Sequence, residues 1–173
     1  YKNADTPVEL LVYTQTTPDI VDIVKRIQEA DQSGGKGNSV PVSVDQTSGF
    51  TWPWAWYLRG RPRVDYPLFD NVSLQTPPDS SIVLVHLNNK AATDKALKDT
   101  FTNGERFKHR WWFPESAYRD ITVRDFLASF LDRGAWRRSM DYFLRREGVL
   151  DRLGSEDGFA YFADELESSG AEP

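Results

Sequence analysis

Apolar residues in this chain follow two periods. Glu9-Leu10-Leu11-Val12-Tyr13-Thr14-Gln15, Val40-Pro41-Val42-Ser43-Val44-Asp45 and Ser80-Ser81-Ile82-Val83-Leu84-Val85-His86-Leu87 are short runs with the length and side chains of buried strands. Between the first two, Ile20, Ile23, Val24 and Ile27 recur at helical spacing and predict a helix ending near Gln32. Thr17-Pro18-Asp19 starts it with a threonine cap, a proline at the first helical position and an acid in the first turn. Ser33-Gly34-Gly35-Lys36-Gly37-Asn38 reads as a flexible loop after it. Strand, helix and strand in this order predict a right-handed parallel β-α-β crossover.

The pattern continues less regularly. Residues 51–59 read as a short helix with Thr51 as cap and Pro53 early enough to be tolerated. Residues 63–68 read as a third strand, pushed toward a sheet edge by Pro62 and Pro67. A polar helix over residues 91–101 follows the strand at 80–87. The expected fold class is α/β: a mostly parallel central sheet flanked by helices, Rossmann-like in its layering but without a dinucleotide fingerprint, with a helical C-terminal extension. Residues 1–104 form that layered core, and residues 105–162 a strand plus helical extension packed on it.

Within the extension, a strand at 105–114 carries Phe107, Trp111 and Phe113. Thr122-Val123-Arg124-Asp125 has capping-box spacing, and Val123, Phe126, Leu127, Phe130 and Leu131 make an apolar face behind it. Gly134 separates that helix from a second at 136–147, which has Trp136, Met140, Phe143 and Leu144 on one side and Gly148 after its end. Residues 155–161 add a last short strand around Phe159-Ala160-Tyr161-Phe162, and residues 163–173 read as a disordered tail.

Composition narrows the function classes. At 173 residues the chain suits one compact domain with a small helical appendage. An aromatic fraction of 13% supplies a real core despite a hydrophobic fraction of 39%. With 21 Lys and Arg against 26 Asp and Glu, the formal charge of −5 argues against general nucleic-acid binding. The absence of cysteine excludes disulfides, thiolate chemistry and zinc-cysteine sites. The two histidines stand far apart and no carboxylates have calcium-loop spacing, so no metal is expected. Gly34-Gly35-Lys36-Gly37 follows a helix instead of preceding one, which is wrong for a phosphate loop, and no cofactor is expected. No apolar run is long enough to span a bilayer. The chain opens at Tyr1 and its sole methionine is Met140, so it reads as a piece of a longer protein.

In parallel sheets ligands bind beyond the carboxyl ends of the strands. Those ends are Gln15-Thr16, Asp45-Gln46 and His86-Asn88-Asn89, and the aromatic segment leaves from the same edge. Thr16, Asp45, Trp52, Arg59, His86 and Asn88 therefore make a candidate site, although polar residues also stand at strand ends simply as turns and caps. Asp45 can act as a general base or cap the following turn, and the cap is the simpler role. His86 suits acid-base work by its reference pKa, yet no nucleophile stands at a recognisable spacing from it. His109, between Lys108 and Arg110, reads as part of a solvated or anion-facing edge. Trp54, Trp56 and Tyr57 extend the aromatic candidate surface, and Trp111 and Trp112 add another, with adjacent side chains on a strand facing opposite ways. Arg106, Lys108, Arg110, Arg119, Arg124, Arg137, Arg138, Arg145 and Arg146 suit phosphate, carboxylate or lipid headgroups. Their plainer role is helix-surface pairing with Asp120, Asp125, Asp132 and Asp141.

Three blocks carry a family resemblance: Leu11-Val12-Tyr13-Thr14-Gln15-Thr16-Thr17-Pro18-Asp19, Trp52-Pro53-Trp54-Ala55-Trp56-Tyr57-Leu58-Arg59, and Arg110-Trp111-Trp112-Phe113-Pro114-Glu115. Over most of residues 8–162 the chain resembles the soluble C-terminal part of prokaryotic membrane proteins similar to dolichyl-phosphate-mannose protein mannosyltransferases, the N-glycosylation flippase-activity-associated family. The resemblance implies an upstream transmembrane region of the same polypeptide, a place on the extracytoplasmic face of the membrane, and a glycan or polyprenyl-phosphate-linked sugar as ligand. The catalytic acid of such enzymes lies in an early external loop, so the resemblance assigns no catalytic residue here. The Trp-Trp-Asp-Tyr-Gly signature of oligosaccharyltransferases is absent, since Phe113-Pro114 follows Trp111-Trp112. The expected function is an accessory domain that binds or positions a glycan, lipid-linked sugar or partner. Two alternatives are a sheet-edge hydrolase or transferase using Asp45 and His86, and a structural module packing on transmembrane helices.

Overall fold

The structure, a computed structural model, describes residues 6–7, 14–33, 39–70, 79–113, 122–124, 128, 131–146 and 153–169. Its strands are β1 (Gln15–Thr16), β2 (Val42–Val44), β3 (Val64–Asp65), β4 (Ile82–His86), β5 (Glu105–Trp112) and β6 (Gly154–Phe162). Its helices are α1 (Pro18–Ser33), α2 (Thr51–Tyr57), α3 (Lys90–Leu97), α4 (Arg133–Arg145) and α5 (Asp164–Ser169). The strands are hydrogen-bonded in the order β1-β5-β6-β4-β2-β3. Two compact units result: Pro18–His109 with Glu156–Pro173, and Tyr1–Thr17 with Arg110–Ser155.

In the larger unit β2 runs parallel to β3 and β4, but β4 pairs antiparallel with β6, Leu84 standing opposite Ala160. The sheet is therefore mixed, which overturns the mostly parallel, Rossmann-like expectation. The cause is legible in the strands themselves. Every residue of β4 and the last six of β6 are buried, so neither shows the one-sided alternation typical of an antiparallel strand at a surface. The polar start of β6, Gly154-Ser155-Glu156-Asp157, also hides its length and its central place. The expected crossover fails with it. β1 pairs antiparallel with β5, Gln15 opposite Trp111, and is not a neighbour of β2. Residues 8–13 of the strand expected at 9–15 lie outside the described residues.

Both faces of the sheet in the larger unit are covered. Val42, Val44, Ile82, Leu84, Ala160 and Phe162 share one cluster with Ile20, Ile23 and Ile27 of α1 and with Phe50, Trp54 and Leu58. The alternate residues Val83, Val85, Phe159 and Tyr161 pack with Leu97 of α3 and with Phe69. This is the period-two split of strands buried on both sides. α1 forms over the segment its apolar period predicts, and β3 takes the edge position that its flanking prolines favour. In the segment read as a tail, Asp164–Ser169 is helical. Backbone bonds from Ala163 to Ser81 (2.9 Å) and from Asp164 to Thr100 (3.3 Å) anchor its start, and Leu166 packs on the core. Residues 34–38 of the expected loop and 170–173 of the tail lie outside the described residues.

In the smaller unit, Gly134 sits inside the first turn of α4 and does not separate two helices. The Gly134 N–H donates to Oδ1 of the capping Asp132 at 2.7 Å, and Arg146 closes the helix with φ 59°. Most of the helix expected over 122–131, and Gly148, lie outside the described residues.

A half-buried pair ties the end of α1 to the segment after α2. Asp31 accepts from the Arg61 guanidinium at 2.8 Å and from the Val40 N–H at 2.8 Å, while Arg61 also donates to the Val40 carbonyl at 3.1 Å. Burial pushes the Asp31 carboxyl up, but the bonds from Arg61 and Val40, with the Arg61 charge, outweigh it and hold the carboxyl below its ordinary value of 3.8. A depressed carboxylate stabilises the fold above its unfolded pKa and loses that contribution as pH falls through the folded value. Arg61→Gln should therefore cost about 1–3 kcal/mol near neutral pH and less at about pH 3. Urea unfolding at both pH values checks this, and an equal loss at each would contradict it.

Candidate functional site

The aromatic segment is shaped by the turn that precedes it. Asp45 ends β2, and Ser48 (φ 55°) and Gly49 (φ 72°) take left-handed backbone conformations that redirect the chain into α2. The Trp52–Pro53 peptide is cis and Trp52 is extended (φ −90°, ψ 123°), so regular helix begins at Pro53 and Thr51 does not act as its cap. Phe50, Trp54 and Leu58, spaced by four, are buried. Trp52, Ala55, Trp56 and Arg59 fall on the other side and are exposed. The Arg59 guanidinium lies 4.0 Å from the Trp56 ring centroid and donates to the Trp56 carbonyl at 2.8 Å. This cation-π contact fixes the Arg59 guanidinium on one face of the exposed Trp56 indole.

Trp54 has a different role from its neighbours. It is fully buried, edge-on to Phe107 at 5.6 Å and near-parallel to His109 at 6.2 Å. Phe50 stacks on His109 at 4.2 Å and meets His86 edge-on at 5.9 Å. Gly158, opposite His86 in the β4–β6 ladder, makes room for this stack, because a Cβ there would stand 2.6 Å from the Phe50 and Phe107 rings. Tyr57 is half-buried against the same core. Of the aromatic candidates on α2, then, Trp52 and Trp56 are available to a ligand, and Trp54 is core.

Asp45 and His86 meet where β2 and β4 end, with every polar atom of their side chains engaged. Asp45 is fully buried. Its Oδ1 accepts from the N–H of Thr47 (2.9 Å) and of Phe69 (3.4 Å). Its Oδ2 accepts from the His86 N–H (3.1 Å) and the Asn89 amide (2.7 Å). That is a turn cap extended into a four-donor lock between strand ends. His86 Nδ1 accepts from the Asn88 N–H at 3.2 Å, which puts the neutral ring's proton on Nε2, 2.7 Å from Glu156 Oε1. Both ring nitrogens of His86 are thus engaged by groups of the protein. Asn88 itself is exposed.

Three contributors stand outside the expected set. Asn89, one residue beyond Asn88, bridges Asp45, Thr47 and the Phe69 carbonyl. Glu156 lies between the two histidines, its Oε2 being 4.0 Å from His109 Nδ1. His109, expected at a solvated edge, is fully buried, because β-strand alternation puts it on the Phe107 side and turns Lys108 outward. Among the described residues no group of three His, Asp or Glu side chains is placed to hold a metal.

The remaining candidates belong to the smaller unit. Thr16 stands opposite Arg110 and Gln15 opposite Trp111 in the β1–β5 ladder. Trp111 and Trp112 are both half-buried, and the Trp112 indole lies where a Cβ on Gly154 would be, 2.3 Å from Nε1. In the larger unit an open cleft of about 620 Å³ beside α3 is lined by Lys90, Asp94, Lys98, Phe101, Gly104 and Tyr161. The Tyr161 hydroxyl donates to Asp94 at 2.7 Å, and burial first, then that bond and the Asp94 charge, push its pKa far up. The phenol stays neutral and supplies no base.

No protein-family model, no curated protein and no solved structure matches the chain.

Proposed function

We propose that this chain is a non-catalytic binding module for a carbohydrate, with Trp52 and Trp56 stacking on sugar faces and Arg59 meeting a phosphate or ring hydroxyl. One observation carries the reading: Trp52 and Trp56 are 60% and 56% exposed on a segment whose alternate side chains, Phe50, Trp54 and Leu58, are clamped in the core. Large apolar rings carried on an anchored segment present the faces that C–H groups of a sugar prefer. Arg59, docked on Trp56, adds donors suited to an anionic oxygen at the edge of the platform.

The setting comes from the sequence resemblance alone. In that setting the module sits on the extracytoplasmic face of a membrane, joined to an upstream transmembrane region, and positions a glycan or polyprenyl-phosphate-linked sugar for a glycosyltransferase-like partner.

Calorimetric titration against neutral oligosaccharides and short-chain polyprenyl-phosphate sugars tests the platform. Trp52→Ala and Trp56→Ala should each weaken binding by about tenfold, the scale of one lost stacking contact. Arg59→Ala should weaken the phosphate-bearing ligands more than the neutral ones. Unchanged affinity in both tryptophan variants would reject the platform.

A further inference from the structure

We propose that α4 docks on an anionic lipid bilayer, with Trp136, Met140, Phe143 and Leu144 entering the interface and Arg133 and Arg137 meeting headgroup phosphates. This goes beyond the carbohydrate reading and does not depend on it. The four apolar residues recur at i, i+4, i+7 and i+8 and so share one face of the helix. All four are exposed, at 48%, 43%, 62% and 74%. Four large apolar side chains exposed together on one helix face mark an interaction site. Tyr142, off the stripe, holds the helix through its ring contact with Phe113 at 6.1 Å.

Charge decides the occupant. Residues 133–146 carry five arginines and one aspartate, a formal +4 in a chain whose total is −5. Arg138 and Arg145 pair with Asp132 (3.4 Å) and Asp141 (3.8 Å), and Arg146 folds back on the Tyr142 and Phe143 carbonyls. Arg133 and Arg137 take no ion-pair partner among the described residues, and both are exposed. A short helix with an apolar stripe and arginines beside it matches a negatively charged bilayer surface. At 13 residues it is too short to cross the membrane and suits lying in the interface plane. A convex stripe also suits fluid lipid, which needs no preformed complementary groove.

Vesicle flotation of the whole chain tests this, with phosphatidylcholine alone and with about one-third phosphatidylglycerol added. The chain should float with the anionic vesicles and be released by salt. Phe143→Ser with Leu144→Ser should weaken partitioning by at least about tenfold. Arg133→Gln with Arg137→Gln should weaken it by roughly tenfold or more on anionic vesicles and leave any binding to the neutral ones unchanged. Because a substitution can disturb folding, the unsubstituted chain gives a second readout: brominated lipid should quench a fluorescence component that Trp136→Phe removes. Absence of flotation and quenching would overturn the proposal, as would equal partitioning of the folded Phe143→Ser, Leu144→Ser variant. A solution dimer that this variant dissociates, without lipid binding, would identify a second copy as the occupant and overturn it too.

Discussion

Trp54→Ala is expected to destabilise the protein by about 3–5 kcal/mol, whereas Trp52→Ala and Trp56→Ala should each stay within about 0.5 kcal/mol. All three tryptophans lie within five residues, so composition and local propensity hardly distinguish them. Burial does. Trp54 is fully enclosed by Phe50, Phe107 and His109, and its removal leaves a void that two packed layers of rings cannot close. At about 2–4 °C per kcal/mol for a chain of this size, the melting temperature of Trp54→Ala should fall by roughly 6–20 °C. Thermal and urea unfolding of the three variants checks the ordering. A Trp54 variant as stable as the Trp56 variant would mean that the α2 segment does not pack as described.

Asp45→Ala should be comparably damaging, at about 3–5 kcal/mol, for an electrostatic and not a steric reason. The substitution orphans the N–H groups of Thr47, Phe69 and His86 and takes one of three acceptors from the Asn89 amide, in a site without water access at Asp45 itself. Each buried donor left unmatched costs about 1–3 kcal/mol, partly relieved where the turn can relax. Asn89→Ala removes one donor and leaves Asp45 three others, so its cost should be smaller, about 1–2 kcal/mol. Urea unfolding of both variants checks the ranking. An Asp45→Ala protein as stable as the parent would return the residue to the list of functional candidates, since a carboxylate with no structural role is seldom buried.

Much of this was open to sequence reasoning, and the failures have physical causes. The helix at α1 followed from its apolar period and its Thr17-Pro18-Asp19 start. The cap role of Asp45 followed from its place at a strand end before Gln46-Thr47, and the Thr47 N–H bond bears it out. The split between Trp54 and its neighbours was also available, because Phe50, Trp54 and Leu58 are spaced by four while Trp52, Ala55, Trp56 and Arg59 fill the other phase. His109 was misread for a different reason. Its basic neighbours suggested an exposed edge, yet the two-residue alternation with Phe107 carried it inward.

Other features depend on pairing that no local pattern encodes. The His86–Glu156 contact joins residues 70 apart and exists only because β6 runs antiparallel beside β4. Strand direction is not written in a run buried on both faces, so the mixed sheet was beyond reach, and Glu156 was beyond reach with it.

The most direct test of the binding account is a ¹H–¹⁵N titration that follows the indole N–H resonances while a phosphate-linked sugar or neutral oligosaccharide is added. The account predicts saturable shifts for Trp52 and Trp56, with Trp54 stationary in its buried stack. Saturation of the ligand with no movement of Trp52 and Trp56, or movement of Trp54 alone, would contradict it.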